Sequence, residues 1–445
     1  MNMTGCSTMP AARQEPVPIV QARKRMREGG LWNDGQHLGR RFAIGCVALE
    51  ITQRCNLDCT LCYLSESSEA LEDVPLTELF RRIDAIREQY GPGTDVQITG
   101  GEPTLRNREE LLAIVRHARD AGLRPALFTN GKLATRELLV ELCAAGLVDV
   151  AVHVDMTQLR PGYVSESGLN ALRAEYIERA RGLPLAVYFN TTAFDGNFHE
   201  LSALVRFFVA NADVVRLASF QLQADTGRGV LGARGQQINP GTVAAQIRLG
   251  AGASVGFDAF NIGHPDCNRY AMTLVTNGRV YDLLDDTVFV RRVLAATAAV
   301  IFPRGNARAA IVALLRSLLR HRALFATGCV WLARGLWRMR RDLVAARGKV
   351  HKLSFFIHNF MDAQALDQDR VDACSFMVAT SSGPVSMCLH NAARDNYLMA
   401  PVRIAQVGWW DPLTGSMRDT PPTPGSVRLT RKTARGKARL RKEAA

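Results

Sequence analysis

Three cysteines stand close together near the start of the chain, at the spacing C-x3-C-x2-C. They are Cys55, Cys59 and Cys62, and Tyr63 follows the last of them. Because a short apolar run, residues 47–52, comes just before, we expect the cysteines to lie on a loop at the carboxyl end of a buried strand. Thiolates are soft ligands that suit iron–sulfur clusters, and three of them leave one iron of a [4Fe–4S] cube without a protein ligand. The spacing therefore predicts a cluster whose open iron could bind a small chelating ligand and pass it an electron.

Two more ordinary structures would use the same cysteines. A structural zinc site prefers four ligands in paired C-x2–4-C units, but no fourth cysteine lies near residues 55–62. A disulfide is uncommon in a reducing compartment, and the amino terminus lacks the apolar run of a secretory signal. We therefore favour the cluster over both alternatives, and the motifs further along the chain bear on the choice.

The composition is typical of a globular protein in a reducing compartment. The chain has 445 residues, of which 47% are hydrophobic and 22% charged, and this length suggests two or three domains. No stretch reaches the ~18 apolar residues of a membrane span. Ten cysteines without a secretory signal indicate thiols used for metal or buried in a core, so we expect a cytoplasmic protein. The net charge of +13 predicts an anionic partner, either phospholipid headgroups or nucleic acid.

Apolar runs alternate with amphipathic stretches over the first half of the chain. Between the runs, apolar residues recur every three or four positions, as on one face of a helix. Strands that alternate with helices of this length predict parallel βαβ units. Six such units predict an α/β fold, a partial (β/α)6 barrel of the TIM type. The predicted strands are residues 47–52, 95–99, 125–129, 148–155, 185–191 and 214–223.

The patterns divide the chain into four regions. We expect a loosely ordered lead-in with one short helix, a core barrel, a carboxyl-terminal region with further cysteines and helices, and a basic disordered tail. The regions are residues 1–45, 46–230, 231–420 and 421–445.

Polar residues follow the predicted strands, and in parallel α/β folds the functional site lies at the carboxyl ends of the strands. Gly100-Gly101-Glu102-Pro103 follows the second strand. Glycine allows close backbone approach, and Glu102 could accept a hydrogen bond from an ammonium group. Arg228, after the sixth strand, could pair with a carboxylate. Each residue in this set could equally be an ordinary polar group of a loop. The others are Thr129, Asn130, Gly131, His153, Asp155, Asn190 and residues 225–227.

The cysteine spacing together with residues 100–103 resembles the signature of the radical S-adenosylmethionine (SAM) superfamily. The resemblance implies a [4Fe–4S] cluster on Cys55, Cys59 and Cys62, whose open iron binds the amino and carboxylate groups of SAM. It also implies reductive cleavage of SAM to a 5′-deoxyadenosyl radical that abstracts a hydrogen atom, with electrons from a donor such as flavodoxin or ferredoxin. The residues expected to bind SAM are Tyr63, Gly100, Gly101, Glu102, Pro103, Thr129, Asn130, Asp155 and Arg228.

Three further cysteines, Cys267, Cys374 and Cys388, occur in the second half of the chain. The last two flank a predicted hairpin within residues 376–387. A hairpin would bring these two thiols together, and Cys267 could join them at an auxiliary iron–sulfur cluster. The alternative is three unrelated core thiols. Candidates for a fourth ligand are Cys329 and His390, or no residue at all.

Residues 291–347 predict long helices that carry many arginines with Trp331 and Trp337. Basic amphipathic helices with tryptophan often lie in a membrane interface, although a core helix pair with a solvated basic face explains the pattern equally well. The tail at residues 428–442 is rich in Lys and Arg and would be attracted to anionic surfaces; an RNA-binding role would use the same charges. We expect peripheral association with the inner face of the membrane rather than nucleic-acid binding.

A narrower resemblance concerns the strings around the later cysteines. Residues 264–267, 374–384 and 388–391 are similar to the archaeal tetraether lipid synthase group and its bacterial relatives. This resemblance implies hydrogen abstraction from an aliphatic carbon of a membrane lipid. The group's cysteine-rich amino-terminal module has no counterpart here, since only Cys6 and Cys46 precede the core.

We therefore expect a radical SAM enzyme that acts on a lipid. The alternatives are a radical SAM enzyme with a peptide, pterin or RNA substrate, and a non-catalytic scaffold on a degenerate barrel. The intact cluster cysteines and Glu102 argue against the scaffold.

Overall fold

One 11-stranded sheet forms the centre of the computed structural model, which describes residues 15–227, 231–300, 302 and 306–422. A separate sheet of three short strands lies near the carboxyl terminus. The strands of the main sheet are β1 Cys46–Thr52, β2 Asp95–Gly100, β3 Arg124–Thr129, β4 Asp149–His153, β5 Ala186–Ala193, β6 Val215–Leu222, β7 Asn268–Thr276, β8 Arg279–Asp282, β9 His351–His358, β10 Phe376–Thr380 and β11 Gly383–Ser386. The small sheet consists of β12 Val402–Ile404, β13 Gly408–Trp410 and β14 Met417–Arg418.

Helices connect most of the parallel strands, and their ends follow the sequence. Asn107 and Thr135 cap two of them by accepting backbone N–H groups, and Gly146 ends the second in a left-handed conformation. The helices are α1 Val17–Glu28, α2 Leu76–Tyr90, α3 Arg108–Asp120, α4 Arg136–Ala145, α5 Asn170–Ala180, α6 Leu201–Ala210, α7 Pro240–Ala251, α8 Thr287–Ala296, α9 Ala307–Leu318, α10 Arg322–Ala345, α11 Gln368–Asp372, α12 Met387–Ala392 and α13 Arg394–Leu398.

The first six strands are parallel and lie side by side in chain order. This confirms the predicted α/β fold with a parallel sheet of the barrel type. The predicted hairpin is β10 and β11, which pair antiparallel. The structure adds two parallel pairings that we did not predict: β9, itself not predicted as a strand, pairs with β6, and β10 pairs with β1. Both come from the region beyond residue 230, so the sheet joins the two predicted regions.

The sheet curves until its two flanks meet. The ring of Phe376 on β10 lies 6.0 Å from that of Phe356 and 4.9 Å from that of His358, both on β9. In the strand order, six other strands separate β10 from β9. These contacts therefore close a barrel-like wall through side chains rather than through a hydrogen-bonded ladder.

Along β1, side chains that pack in the apolar core alternate with side chains that point to the other face of the sheet. Val47, Leu49 and Ile51 belong to the main apolar core, which also contains Leu79 and Ile83 of α2. Successive residues of a strand point to opposite faces, so the residues between them point to the interior of the curved sheet. The helices cover the outer face, and the inner face is left to polar and aromatic groups.

The lead-in is packed over the part that the structure describes, residues 15–45. The predicted short helix is α1. Loose order is wrong here, because Met26 and Leu38 are fully buried in a small core with Ala373. Gly39 lies so close to α1 that an added Cβ would be 2.4 Å from backbone atoms of Arg23. The predicted tail lies outside the described residues from position 423 onward, as does Cys6.

The predicted helical region between β8 and β9 consists of α8, α9 and α10. Much of α10 is exposed, including Val330, Leu336 and Trp337, and the Arg340 guanidinium lies 3.9 Å from the Trp337 ring. Among the described residues, no helix is both long and apolar enough to cross a membrane. Association of this exposed face with a membrane surface stays a prediction.

We predict that β9 is part of the same cooperative unit as the first six strands. Phe355 on β9 is fully buried in the main core, so Phe355→Ala should lower the free energy of unfolding by about 3–5 kcal/mol. Leu249→Ala, at a side chain 65% exposed, should change it by less than about 0.5 kcal/mol. Urea unfolding followed by circular dichroism measures both. A second transition that alone responds to Phe355→Ala would contradict a single unit.

Candidate functional site

The cysteine loop leaves the carboxyl end of β1 and has no regular structure from Gln53 to Tyr63. All three cysteines on it are partly exposed. A loop of this kind keeps a defined position only if neighbouring segments hold it, and the loops after β2, β3, β4 and β6 all contact it. The site is therefore assembled from four strand ends that the parallel sheet brings to one edge.

Gly100 and Gly101 bring the loop after β2 against the beginning of the cysteine loop. The backbone N–H of Gly101 donates to the carbonyl of Thr52 and that of Glu102 to the carbonyl of Arg54, both at 2.8 Å. A Cβ on Gly100 would lie 2.0 Å from the Thr52 oxygen, and one on Gly101 would lie 2.2 Å from the Arg54 oxygen. Only glycine fits at such distances, so the two glycines are required by the protein's own backbone approach, whatever ligand binds there.

Glu102 is fully buried and joins the loop after β2 to the end of β3. It accepts hydrogen bonds from the hydroxyl of Thr129 at 2.6 Å, from the backbone N–H of Asn130 at 2.7 Å, and from the backbone and hydroxyl of Thr104. Pro103, also buried, begins the 3₁₀ turn that follows. The carboxylate thus fixes Thr129 and Asn130 in place, and its predicted contact with the SAM amino group stays a prediction.

Two further hydrogen bonds hold the middle of the cysteine loop. The side-chain amide of Asn130 donates to Asn56 Oδ1 at 2.6 Å, and the backbone N–H of Thr60 donates to the carbonyl of Thr157 at 2.8 Å. Asn56 Nδ2 is buried and has no hydrogen-bond partner among the described residues. Because buried donors are rarely left unpaired, this amide beside Cys55 marks a place where a ligand is expected.

Tyr63 ends the cysteine loop. It is held there by contacts that include Arg394, which in turn pairs with Glu50; the sequence analysis singled out neither of these two residues. The Tyr63 hydroxyl donates to the carbonyl of Gly100 at 2.5 Å, and the Arg394 guanidinium lies 4.9 Å from the Tyr63 ring. Arg394 also donates to Glu50 at 2.6 Å and to Gln53 at 3.1 Å. Burial alone would raise the pKa of Glu50, but the charge of Arg394 holds that pKa below its usual range.

Glu50 could have been recognised from the sequence as a buried charged residue, whereas Arg394 could not. Glu50 is a charged residue inside the apolar run Val-Ala-Leu-Glu-Ile, which indicates a buried partner of opposite charge. The sequence around Arg394 carries no such signal, because its partner is more than 300 positions away in the chain.

His153 is the last residue of β4, and Asp155 lies two residues beyond it, whereas the predicted strand extended to Asp155. His153 Nε2 lies 2.6 Å from Asp155 Oδ2, and Asp155 accepts from the backbone N–H groups of Thr157 and Thr192 at 2.9 and 2.7 Å. Burial opposes ionisation, but His153 and these donors hold the pKa of Asp155 well below its usual range. Asp155 is fully buried and positions the turn that holds Thr60, while its predicted contact with SAM stays a prediction.

The loop after β6 lies directly against the cysteine loop. A Cβ on Gly227 would lie 2.5 Å from the carbonyl oxygen of Tyr63 and 2.6 Å from that of Cys62. Arg228, predicted to pair with a carboxylate, lies outside the described residues. The prediction that Asn190 ends the fifth strand is wrong, because β5 continues to Ala193; Asn190 instead pairs with His153 inside the sheet.

The later cysteines lie at the seam between the end of β9 and the start of β10. Arg370 Nε donates to Cys267 Sγ at 3.4 Å, and the Cys374 thiol donates to the carbonyl of Phe376 at 3.0 Å. The pKa of Cys388 is raised to about 12, mainly by burial and to a smaller extent by the charges of Cys374 and Cys267. The three predicted thiols are thus near enough to influence one another, but among the described residues they do not form a ready metal-binding cluster.

The two candidates for a fourth ligand have different surroundings. Cys329 is exposed on α10. His390 is buried, and its ring stacks on that of Tyr397 at 5.2 Å.

The donor chemistry of the cysteine loop fits a [4Fe–4S] cluster with one open iron. Three thiols lie within eight residues on a loop that is held at four strand ends, and an unpaired amide, Asn56 Nδ2, lies beside them. Within the described ranges, no three His, Cys, Asp or Glu side chains are close enough together to hold a metal ion as they stand. The assignment therefore rests on ligand type and on the anchoring of the loop.

Comparison with known proteins finds a match to one superfamily over part of the chain. Residues 49–200 match the family model of the radical SAM superfamily, which supports that superfamily for the part of the chain containing the cysteine loop and the first strands of the sheet.

The curated relatives named here each match 40% of the chain or less. The chain is 32% identical over 187 residues to the 7,8-dihydro-6-hydroxymethylpterin dimethyltransferase of Methanocaldococcus jannaschii, covering 40% of this chain and 36% of that protein. It is 29% identical over 178 residues to the PqqA peptide cyclase of Bradyrhizobium diazoefficiens, covering 39% and 46%. The chain thus spans between about a third and a half of the length of these relatives.

Among solved structures, Streptococcus suis SuiB bound to its precursor peptide SuiA aligns with a TM-score of 0.33 and 16% identity, over 50% of this chain and 48% of that one. The relatives named here act on a pterin or a peptide by name, and neither is a tetraether lipid synthase. The narrower resemblance to that lipid group is therefore not supported.

We predict that Gly101→Ala displaces the cysteine loop. Its Cβ would meet the Arg54 carbonyl at 2.2 Å, so backbone must move, which should cost about 1–3 kcal/mol of stability. Amide hydrogen exchange of residues 55–63 should accelerate, as measured by mass spectrometry. Gly335→Ala is the matched control, because nothing lies within 4 Å of its Cβ position. Unchanged exchange in Gly101→Ala would show that this backbone approach does not position the loop.

Proposed function

We propose that this chain is a radical SAM enzyme whose substrate is a heterocyclic small molecule or a peptide rather than a membrane lipid. The observation that supports it most directly is the cysteine loop, which lies within the region matching the superfamily and is fixed against Gly100 and Gly101. The hypothesis of a lipid substrate rested on the similarity of three short sequence segments, whereas the curated relatives are named for pterin and peptide chemistry. The alternative reading is therefore the better supported one.

Each part of the site has a separate task under this proposal. Cys55, Cys59 and Cys62 would hold the cluster. When bound, the cluster would pass one electron, received from a donor such as flavodoxin or ferredoxin, to SAM. This chemistry breaks a carbon–sulfur bond of SAM and yields methionine and an agent able to abstract hydrogen from carbon. Glu102 and Asp155 keep the surrounding loops in register by accepting backbone N–H groups.

The inner face of the sheet also favours a polar substrate. His153, Asn190 and Ser219 occupy cross-strand positions on β4, β5 and β6, on the face opposite the helices. An alkyl chain placed there would bury polar groups without hydrogen bonds, which is unfavourable. The same intact cysteine loop argues against a non-catalytic scaffold, since a scaffold needs neither the three thiols nor their partly exposed position.

We predict that replacing Cys55, Cys59 and Cys62 by Ala, singly or together, abolishes formation of 5′-deoxyadenosine, because each replacement removes one of the three cluster thiols. The assay is liquid chromatography of anaerobic reactions containing SAM and dithionite. Cys143→Ala is the control, since Cys143 lies on α4 and should retain activity. Continued SAM cleavage by the triple variant would refute the proposal.

We further propose an auxiliary metal centre at Cys267, Cys374 and Cys388, which would have to draw closer together to bind a metal ion. The proposal is supported by the effect of Cys374 and Cys267 on the pKa of Cys388. After anaerobic reconstitution, iron and sulfide should exceed one cluster per chain. Replacing all three by Ser should remove the excess while leaving the cluster on the cysteine loop in place, and Cys329→Ser, at an exposed position on α10, should leave the iron content unchanged. An unchanged iron and sulfide content in the triple variant would show that these thiols serve packing alone.

A further inference from the structure

Two rows of side chains line the inner face of the sheet where β4, β5, β6 and β9 lie side by side. In the first row, Asn190 pairs with His153 and with Ser219, and Ser219 pairs with Phe356. Neighbours in register on parallel strands point to the same face. The intervening residues, such as Phe189, belong to the outer core with the helices, so this row faces the interior.

The second row lies two residues further toward the carboxyl ends of the strands. Thr192 pairs with Gln221, and Gln221 pairs with His358. Desolvation lowers the pKa of His358 to about 3, so its ring is neutral at ordinary pH. We call these two sets of residues the polar–aromatic rows.

One polar member of the rows has an unmet hydrogen bond. Ser219 is 3% exposed, and its hydroxyl has no partner among the described residues. The side-chain amide of Asn190, which is buried, and that of Gln221, which is partly exposed, belong to the same rows. Since more than nine in ten buried polar groups are paired in folded proteins, a buried hydroxyl of this kind, flanked by two amides, indicates a bound molecule.

Aromatic rings form the other end of the rows. The ring of Phe356 stacks on that of His358 with centroids 4.2 Å apart, and His358 is in turn parallel to Phe360 within 1° at 5.5 Å. Phe376 stands nearly edge-on to His358. His358 is thus stacked with both Phe356 and Phe360, whereas among the described residues Phe356 is stacked with His358 alone. An uncharged aromatic ring next to amide and hydroxyl groups is the chemistry that recognises a planar ring with hydrogen-bonding atoms on its edge.

The rows lie beside the cysteine loop. His153 and Thr192 both contact Asp155, and the turn after Asp155 carries Thr157, whose carbonyl holds Thr60 of the loop. Gly227, five residues after β6, touches Cys62 and Tyr63. A molecule bound on the rows would therefore sit next to the site at which SAM is expected.

Apart from the two histidines, the rows contain no ionisable side chain. The rows themselves supply no lysine or arginine to a phosphate or carboxylate, and an alkyl chain would leave the Ser219 hydroxyl unpaired. We propose that the polar–aromatic rows bind a neutral planar heteroaromatic ring, packed against Phe356 and hydrogen-bonded along one edge to Asn190, Ser219 and Gln221. This rests on the proposed function, for which it names the substrate class; the amide-like edge shared by pterins and guanine has the matching donors and acceptors.

The test is equilibrium binding to the full-length, anaerobically reconstituted protein in the presence of SAM. The probes are 6-hydroxymethylpterin, guanosine, a neutral hexapeptide and short-chain phosphatidylglycerol, and 5′-deoxyadenosine formation is measured separately on the same samples. Saturable binding of the pterin or of guanosine is expected. The two dissociation constants then show whether the rows prefer a pterin or a guanine ring, since both carry the same hydrogen-bonding edge. Saturable binding of only the peptide or the lipid, or of no probe, would overturn the inference.

Variants locate the binding to the rows. Ser219→Ala removes a hydroxyl with no partner in the fold, so it should leave stability unchanged or higher while weakening ring binding roughly 3- to 10-fold. Phe356→Leu should weaken binding of the ring by removing the stacking face. Ser202→Ala, at a buried serine on α6, is the control and should bind as the parent does. Equal binding by Ser219→Ala and the parent would exclude the rows.

The outcomes separate the inference from the proposed function. Failure of ring binding with intact SAM cleavage would remove the substrate class and leave the radical SAM assignment standing. Saturable ring binding on the rows without any SAM cleavage would refute the proposed function and leave a ring-binding barrel.

Discussion

The site depends on one close backbone approach, that of Gly101 and Glu102 to Thr52 and Arg54. Two hydrogen bonds of 2.8 Å join the ends of neighbouring strands just where the cysteine loop begins, and no side chain would fit between them. Because Glu102 then turns inward to accept from Thr129 and Asn130, the same approach also fixes the end of β3, and Asn130 in turn holds Asn56. Displacing the glycines would therefore disturb the loops after β2 and β3, which hold the beginning of the cysteine loop.

Buried carboxylates extend this arrangement around the mouth of the barrel. Glu50 of β1 pairs with Arg394 at the start of α13, and Asp155, in the loop after β4, pairs with His153 at the end of that strand. Breaking such a pair leaves an uncompensated buried charge, which is far more destabilising than losing both partners. The cysteine loop is thus held by buried charged groups, each of which needs its partner. This requirement favours one arrangement of the loop over the alternatives. Rigid positioning of this kind is what a site needs when reacting groups must meet at a fixed distance.

Local patterns were sufficient to predict the first six strands and the cysteine loop, because each strand is an apolar run followed by an amphipathic helix. They were not sufficient for β9, or for the pairing of β10, an arm of the predicted hairpin, with β1. His351 and Lys352 interrupt the apolar pattern of β9, three helices precede it, and its pairing with β6 depends on contacts more than 120 residues apart. Arg394 was missed for the same reason: its role is defined by Glu50 and Tyr63, which only the folded chain brings near. The spacing of the cysteines predicted their chemistry, while the residues that orient them are scattered along the chain.

The resemblance to the radical SAM superfamily is supported and the resemblance to the lipid synthase group is not, and this difference has a physical explanation. The strings similar to the lipid synthase group surround Cys267, Cys374 and Cys388, and the fold places these thiols at the seam between β9 and β10. The polar groups facing the interior beside the cysteine loop, Asn190 and Ser219 among them, come instead from strands within or next to the matched region, residues 49–200. Similarity around thiols concerns the chemistry of a metal ligand, which many substrates can share. The lining of the barrel decides which molecule fits, and in this chain that lining is made of amides, a hydroxyl and aromatic rings.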